Sequence, residues 1–189
     1  GSTDVRAHAC YPLVPYSNRI ANAQFAFAGR TFALARNFGD HPHSIHGVGW
    51  QRPWTVAARD ATSARLVLEH TAADEAARAW PWPFRATESI ALRGDGTAAT
   101  LSLRLTLANT GDTAFPFGLG WHPFFVRSNA SRLAFHADGV WQTDATRLPL
   151  ALEPALPGGP FEPARDPGAD TVDNVFRGWD GTAALDDAE

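Results

Sequence analysis

The chain has no lysine at all: its sixteen basic residues are all arginine. That excludes a lysine Schiff base or a lysine general base anywhere in it. It also has no methionine, and Gly1-Ser2 at the start reads as an expression scar rather than a translation start. A single cysteine, Cys10, excludes an internal disulfide and is compatible with a reduced cytoplasm, the expected compartment. Long hydrophobic runs are missing too, so no segment is expected to span a bilayer. A formal net charge of -4 and a pI near 6.0 leave no basic stripe for a nucleic acid backbone. With 189 residues, 44% of them hydrophobic, the composition is that of one globular domain.

What is present is a regular succession of short alternating segments. Phe25, Phe27, Phe32 and Leu34 flank Ala28-Gly29-Arg30, the pattern of a hairpin with glycine at its turn. Trp54 to Asp60 and Arg65 to Thr71 make a second pair around Ala61-Thr62-Ser63. Phe84 to Leu92 and Thr100 to Ala108 make a third, turning at Gly94-Asp95-Gly96. In this last pair Leu101, Leu103, Leu105 and Leu107 share one face while Ser102, Arg104 and Thr106 share the other. Arg132 to Ala137 and Gly139 to Thr143 read as further strands, and Asp74 to Ala79 as the one short helix. Pro149 to Pro167, rich in proline and glycine, is expected to be a surface connection without periodicity. Turns roughly every ten residues predict an all-β fold, a large antiparallel sandwich or barrel.

The stretch from His41 to Trp54 breaks this pattern. Histidines, prolines, glycines and tryptophans alternate there too irregularly for a strand, and it is expected to form the floor of a binding site. Imidazoles that titrate near neutrality beside flat apolar indoles suit a neutral, polyhydroxylated ligand. The spacing of His41, His43 and His46 is also compatible with zinc, but no cysteine is close and Asp40 adjoins the cluster instead of facing it. The expectation is therefore no metal. Elsewhere Arg19, His122 and Asp173 are polar residues in rigid or aromatic surroundings. Taken singly, each has an ordinary structural explanation: a packed histidine, a surface arginine, an Asx turn.

Taken together, four segments resemble the aldose 1-epimerases, the galactose mutarotase family. They are Pro12 to Ile20 with its Ser-Asn-Arg-Ile, the His43-Ser-Ile-His46-Gly47 loop followed by Gly49-Trp50, Gly118-Leu-Gly-Trp-His122-Pro-Phe-Phe, and Asp173-Asn-Val-Phe176. They occur in the family's order and cover nearly the whole chain. The resemblance implies a galactose mutarotase-like supersandwich, incomplete here, and interconversion of the α and β anomers of a free aldohexose without cofactor. It implies that His122 is the general acid at the ring oxygen and that His46 stabilises charge developing there. Asn18, Arg19 and Asp173 would bind sugar hydroxyls, and Trp50 or Phe124 would face the ring's C–H side.

The family's general base is a glutamate in strands well beyond the Asp-x-x-Phe motif. Glu69, Glu75, Glu88, Glu153, Glu162 and Glu189 all lack a matching context. Residues 3–189 are accordingly expected to be one partial domain, without the family's first and last strands, and a poor mutarotase by itself. Uncovered sheet edges are expected to favour self-association. The alternative reading is a non-catalytic carbohydrate-binding or sugar-sensing module on the same scaffold. A phosphorylated sugar would call for extra basic residues that the sequence does not identify.

Overall fold

The computed structural model describes residues 9–154, 161, 163–168 and 173–187. Its contacts divide the chain into two compact units, Gly1–Phe124 and Phe125–Glu189. Among the described residues no helix is long and apolar enough to cross a membrane.

The first unit runs β1 (Cys10–Leu13), β2 (Arg19–Ile20), β3 (Gln24–Phe27), β4 (Arg30–Ala33), β5 (Ser44–Ile45), β6 (Thr55–Arg59), β7 (Ser63–His70), α1 (Asp74–Ala79), β8 (Phe84–Gly94), β9 (Ala99–Asn109) and β10 (Gly120–Pro123). Its backbone is an antiparallel sheet in the order β6-β7-β8-β9. The predicted alternation sets the faces. Leu68, Ala86 and Leu107 stand opposite one another in register, as do Leu66, Glu88 and Leu105, all on the inner face. The outer face carries Glu69 and Arg85, whose carboxylate and Nε lie 2.5 Å apart at the solvent surface. An exposed pair of this kind adds little stability.

The stabilisation comes from the inner face. Leu68, Phe84 and Ala86 are buried with Val14, Tyr16, Val48, Trp80 and Trp82, while Phe25, Phe27 and Phe32 of the β3–β4 hairpin pack against them. Phe32 and Trp82 are 4.5 Å apart between ring centroids, and Phe25 stacks on Trp80 at 5.4 Å. Each such pair contributes about 0.5–1.5 kcal/mol beyond the area it buries. His70 is the polar residue in this core, and it is satisfied. Its Nε2 lies 2.7 Å from the Trp80 carbonyl and its Nδ1 3.3 Å from Arg52 Nη1. Arg52 can only donate, so the His70 proton sits on Nε2 and is donated to the carbonyl.

Strand β1 connects this core to the site. Val14, just beyond it, belongs to the core, whereas Tyr11 and Leu13 form a separate buried cluster with Ile45 and Trp50. β1 pairs with β10, placing Tyr11 opposite His122, and β2 pairs with β5, placing Arg19 opposite Ile45. Segments far apart in sequence thus supply neighbouring positions.

The second unit contains β11 (Ser131–Phe135), β12 (Gly139–Thr143), β13 (Pro149–Glu153), β14 (Val175–Arg177) and β15 (Ala183–Asp187). β11 pairs with β15, and β12 lies between β13 and β14. Phe135 stacks on Phe161 and meets Phe176 edge-on, at 5.0 and 4.9 Å. Asp187 accepts hydrogen bonds from Ser128 and Ser131, which hold its carboxyl below the usual carboxylate range. The reading of Pro149 to Pro167 as an irregular surface connection needs correction. Pro149–Glu153 is a strand paired with β12, Phe161 is buried, and Arg165 bridges to Leu133. Proline at the first position of a strand costs no ladder bond, which is why its presence did not exclude pairing. Residues 155–160, 162 and 169–172 lie outside the described residues.

Candidate active site

The site in the first unit is built by two residues with left-handed backbones that hold each other. Asn18 has φ +60° and His46 φ +61°. The His46 amide donates to the Asn18 carbonyl at 2.9 Å, and the Asn18 amide donates to His46 Nδ1 at 3.1 Å. An imidazole nitrogen that accepts an N–H carries no proton, so neutral His46 is the Nε2–H tautomer, with that donor left for a ligand. Burial first, then the electrostatic influence of His122 and of the Arg19 guanidinium, lower the His46 pKa from 6.5 to about 4. At neutral pH His46 is thus a fixed, uncharged donor and not an acid.

His122 is delivered by β10. Its ring stacks on Tyr11 at 4.7 Å and 19° and on Phe124 at 4.8 Å and 27°, and it meets the His46 ring edge to face at 5.5 Å and 81°. The two imidazoles thus stand next to each other. Trp50 closes the floor beneath them: it is 8% exposed, its indole N–H donates to the Ile45 carbonyl at 3.3 Å, and its ring stands at 87° to His46. With so little of it open, Trp50 supports the pair, whereas Phe124, 45% exposed, has an apolar face available.

Arg19 donates from Nη1 to Asn18 Oδ1 at 3.1 Å, while its buried Nε has no hydrogen-bond partner. A buried guanidinium donor without an acceptor is costly unless something else supplies one. Asn18 thus meets both neighbours, its Oδ1 accepting from Arg19 and its backbone pairing with His46. Asp173 stands in the second unit, where its Oδ2 lies 3.3 Å from Arg147 Nε with the side chain largely exposed.

His43, a zinc candidate in the sequence, is 2% exposed and accepts the Asn22 amide at Nδ1 over 2.9 Å. His43 and His46 each spend Nδ1 on a different backbone amide, and among the described residues no group of three or more His, Cys, Asp or Glu is placed to hold a metal. Two residues beside these histidines carry no motif-like signature. Tyr11, which stacks on His122, precedes the Pro12 to Ile20 segment. Asn37 stood alone between a hairpin and the histidine loop, with nothing to separate it from a turn residue.

Comparison with known proteins points the same way. The family model for aldose 1-epimerase matches residues 1–189. The uncharacterized protein YphB of Escherichia coli K12 is 33% identical over 180 residues, which are 94% of this chain and 58% of that protein. A crystal structure from Escherichia coli K12, provisionally described as an aldose 1-epimerase, superimposes with a TM-score of 0.86 at 30% identity, covering 97% of this chain and 60% of its own. A homologue of GalM/aldose epimerase from C. elegans shares the fold, with a TM-score of 0.61 at 21% identity over 87% of this chain and 53% of its own. The chain thus spans about three fifths of the length of the Escherichia coli proteins it matches. The all-β architecture with one short helix is the galactose mutarotase-like β-sandwich. With its family model matched from the first residue to the last, the chain belongs to the aldose 1-epimerase family.

Proposed function

We propose that this site takes a free aldohexose and serves its mutarotation, opening the pyranose ring and reclosing it on either face of C1. The observation that carries the reading is the edge-to-face meeting of His46 and His122 at 5.5 Å, with the His46 tautomer set by a backbone amide. In this reaction a base takes the proton of the C1 hydroxyl, the C1–O5 bond breaks, and O5 gains a proton. The open aldehyde then rotates about C1–C2 and closes. His122 is the proton donor to O5, a task suited to an imidazolium near neutral pH. His46, neutral and held by Asn18, donates a hydrogen bond where negative charge grows. Arg19, beside His46 and bonded to Asn18, donates to a sugar hydroxyl, and Phe124 covers the C–H face of the ring.

The base expected from the family has no matched glutamate in this sequence, so turnover by the 189 residues should be slow while binding persists. The test is titration with D-galactose and D-glucose, following imidazole NMR signals, with anomer exchange measured by polarimetry. Joint perturbation of His46 and His122, with slow exchange that His122→Ala abolishes, supports the reading. Binding with no exchange favours the carbohydrate-binding module. Absence of binding overturns both.

Self-association belongs to the same reading. β9, eleven residues long, is an edge of the four-stranded sheet, and Leu101 near its start and the facing Leu92 of β8 are 60% and 49% exposed. Long edges with apolar neighbours pair with other chains unless charges blunt them. Sedimentation at increasing concentration should show dimers or larger species, fewer when Leu101 is replaced by lysine. A monomer at every concentration would contradict this.

A further inference from the structure

We propose that Asn37 is a positioning residue, its carboxamide clamping the backbone on both sides of His46 and so aiming that imidazole at His122. The proposal rests on the mutarotase reading for its functional meaning and on geometry for its substance. Asn37 Oδ1 accepts the Ile45 amide at 2.8 Å, while Nδ2 donates to the Ile45 carbonyl at 2.7 Å and the Gly47 carbonyl at 3.0 Å. Three bonds from one side chain therefore embrace the residues before and after His46. The backbone of Asn37 is fixed in turn, its carbonyl accepting Gln51 Nε2 at 2.7 Å.

The clamp matters because His46 is left-handed, a conformation that is unfavourable for a non-glycine residue. Such a residue keeps its place only where the surroundings over-determine it. The Asn18 backbone grips His46 itself, through its amide and its Nδ1. That grip closes only if the loop already presents His46 at the correct angle, and Asn37 bonds the loop on both sides of that residue. No other residue type matches it. An aspartate sets a carboxylate oxygen against the Ile45 and Gly47 carbonyls in place of a donor, and a glutamine extends the amide by a methylene past its partners.

The experiment uses the 189-residue chain labelled with ¹⁵N in its histidines, the His46 signals being assigned by their loss in His46→Gln. The unsubstituted protein should show a bare Nδ1 and a protonated Nε2 with a low titration midpoint. Asn37→Ala and Asn37→Asp should average the two tautomers, raise the midpoint toward that of an ordinary histidine, and weaken D-galactose binding about tenfold or more, the scale of a misplaced site group. A folded variant whose His46 tautomer and midpoint are unchanged overturns the proposal. Asn37→Ser, which keeps one donor and one acceptor, guards against loss of the fold. Should Ala and Asp both unfold, its tautomer signal decides between the same results, and unfolding of all three overturns the proposal in favour of a purely structural role. Failure of the unsubstituted chain to bind galactose sinks the mutarotase reading, and the tautomer measurement still decides the role of Asn37.

Discussion

Gly47→Ala is expected to destabilise the protein by about 4 kcal/mol or more, at the top of the range for single substitutions. Gly47 follows His46 with φ +69°, and a Cβ there would lie 2.2 Å from the Val14 carbonyl oxygen, 2.5 Å from its carbon and 2.7 Å from Pro15 Cδ. These atoms are poorly placed to yield. The Val14 carbonyl accepts the amides of Val48 at 2.8 Å and Gly49 at 3.0 Å, and Val14 is itself fully buried in the main core. Relief would require parting the histidine loop from β1, which would also separate His46 from His122. Gly29→Ala is the control. Gly29 has φ +73° in the β3–β4 turn, but a Cβ there meets nothing within 4 Å, so the substitution should cost about 1–2 kcal/mol from backbone conformation alone. Urea unfolding of both variants checks the difference. Equal losses would mean that conformation, and not the close approach to Val14, sets the requirement for glycine at 47.

Acidification should remove the stability that neutral His46 provides. The unfolded histidine titrates near 6.5 and the folded one near about 4, so the unfolded chain takes up the proton first. The contribution is whole above pH 6.5, falls as the pH drops below it, and is gone once the pH passes below about 4. Discounted for the partial solvent contact of the ring, it amounts to about 2 kcal/mol. Burial of His70 lowers its pKa as well, and hydrogen bonds lower those of Asp60, Asp95 and Asp187, so the raw pH dependence is a sum. The difference between the unsubstituted protein and His46→Gln isolates one residue, because glutamine can still accept the Asn18 amide and does not titrate. That difference should be constant above neutrality and change by about 2 kcal/mol between pH 6.5 and pH 4 in favour of the variant. Parallel stability curves would show that His46 is not the depressed group.

The strands were readable because alternation is local. Leu101 to Leu107 against Ser102 to Thr106 foretold both the strand and its faces, and the β8–β9 pairing extends over eleven residues as that pattern requires. Pro149–Glu153 was misread for the converse reason, since a proline-led strand in a proline-rich stretch carries no local signature. At the site, His46, His122, Arg19 and Asn18 were legible as residue types in ordered motifs. Their division of labour was not. Whether Asn18 touches a sugar or holds its neighbours depends on Arg19 and His46 coming to it, through a two-residue pairing of β2 with β5.

By itself the sequence determined that this is an all-β chain of the aldose 1-epimerase family, without lysine chemistry. Those properties follow from side-chain chemistry and from periodicities along the chain. Only the tertiary structure decided that His46 spends Nδ1 on a backbone amide, that Trp50 is buried, that Asn37 bonds the backbone on both sides of His46, and that Tyr11 stacks on His122. A tautomer, a burial and a ring stack each depend on what lies opposite in space, and residues separated by tens of positions meet only when β1 pairs with β10 and the loop closes over Val14.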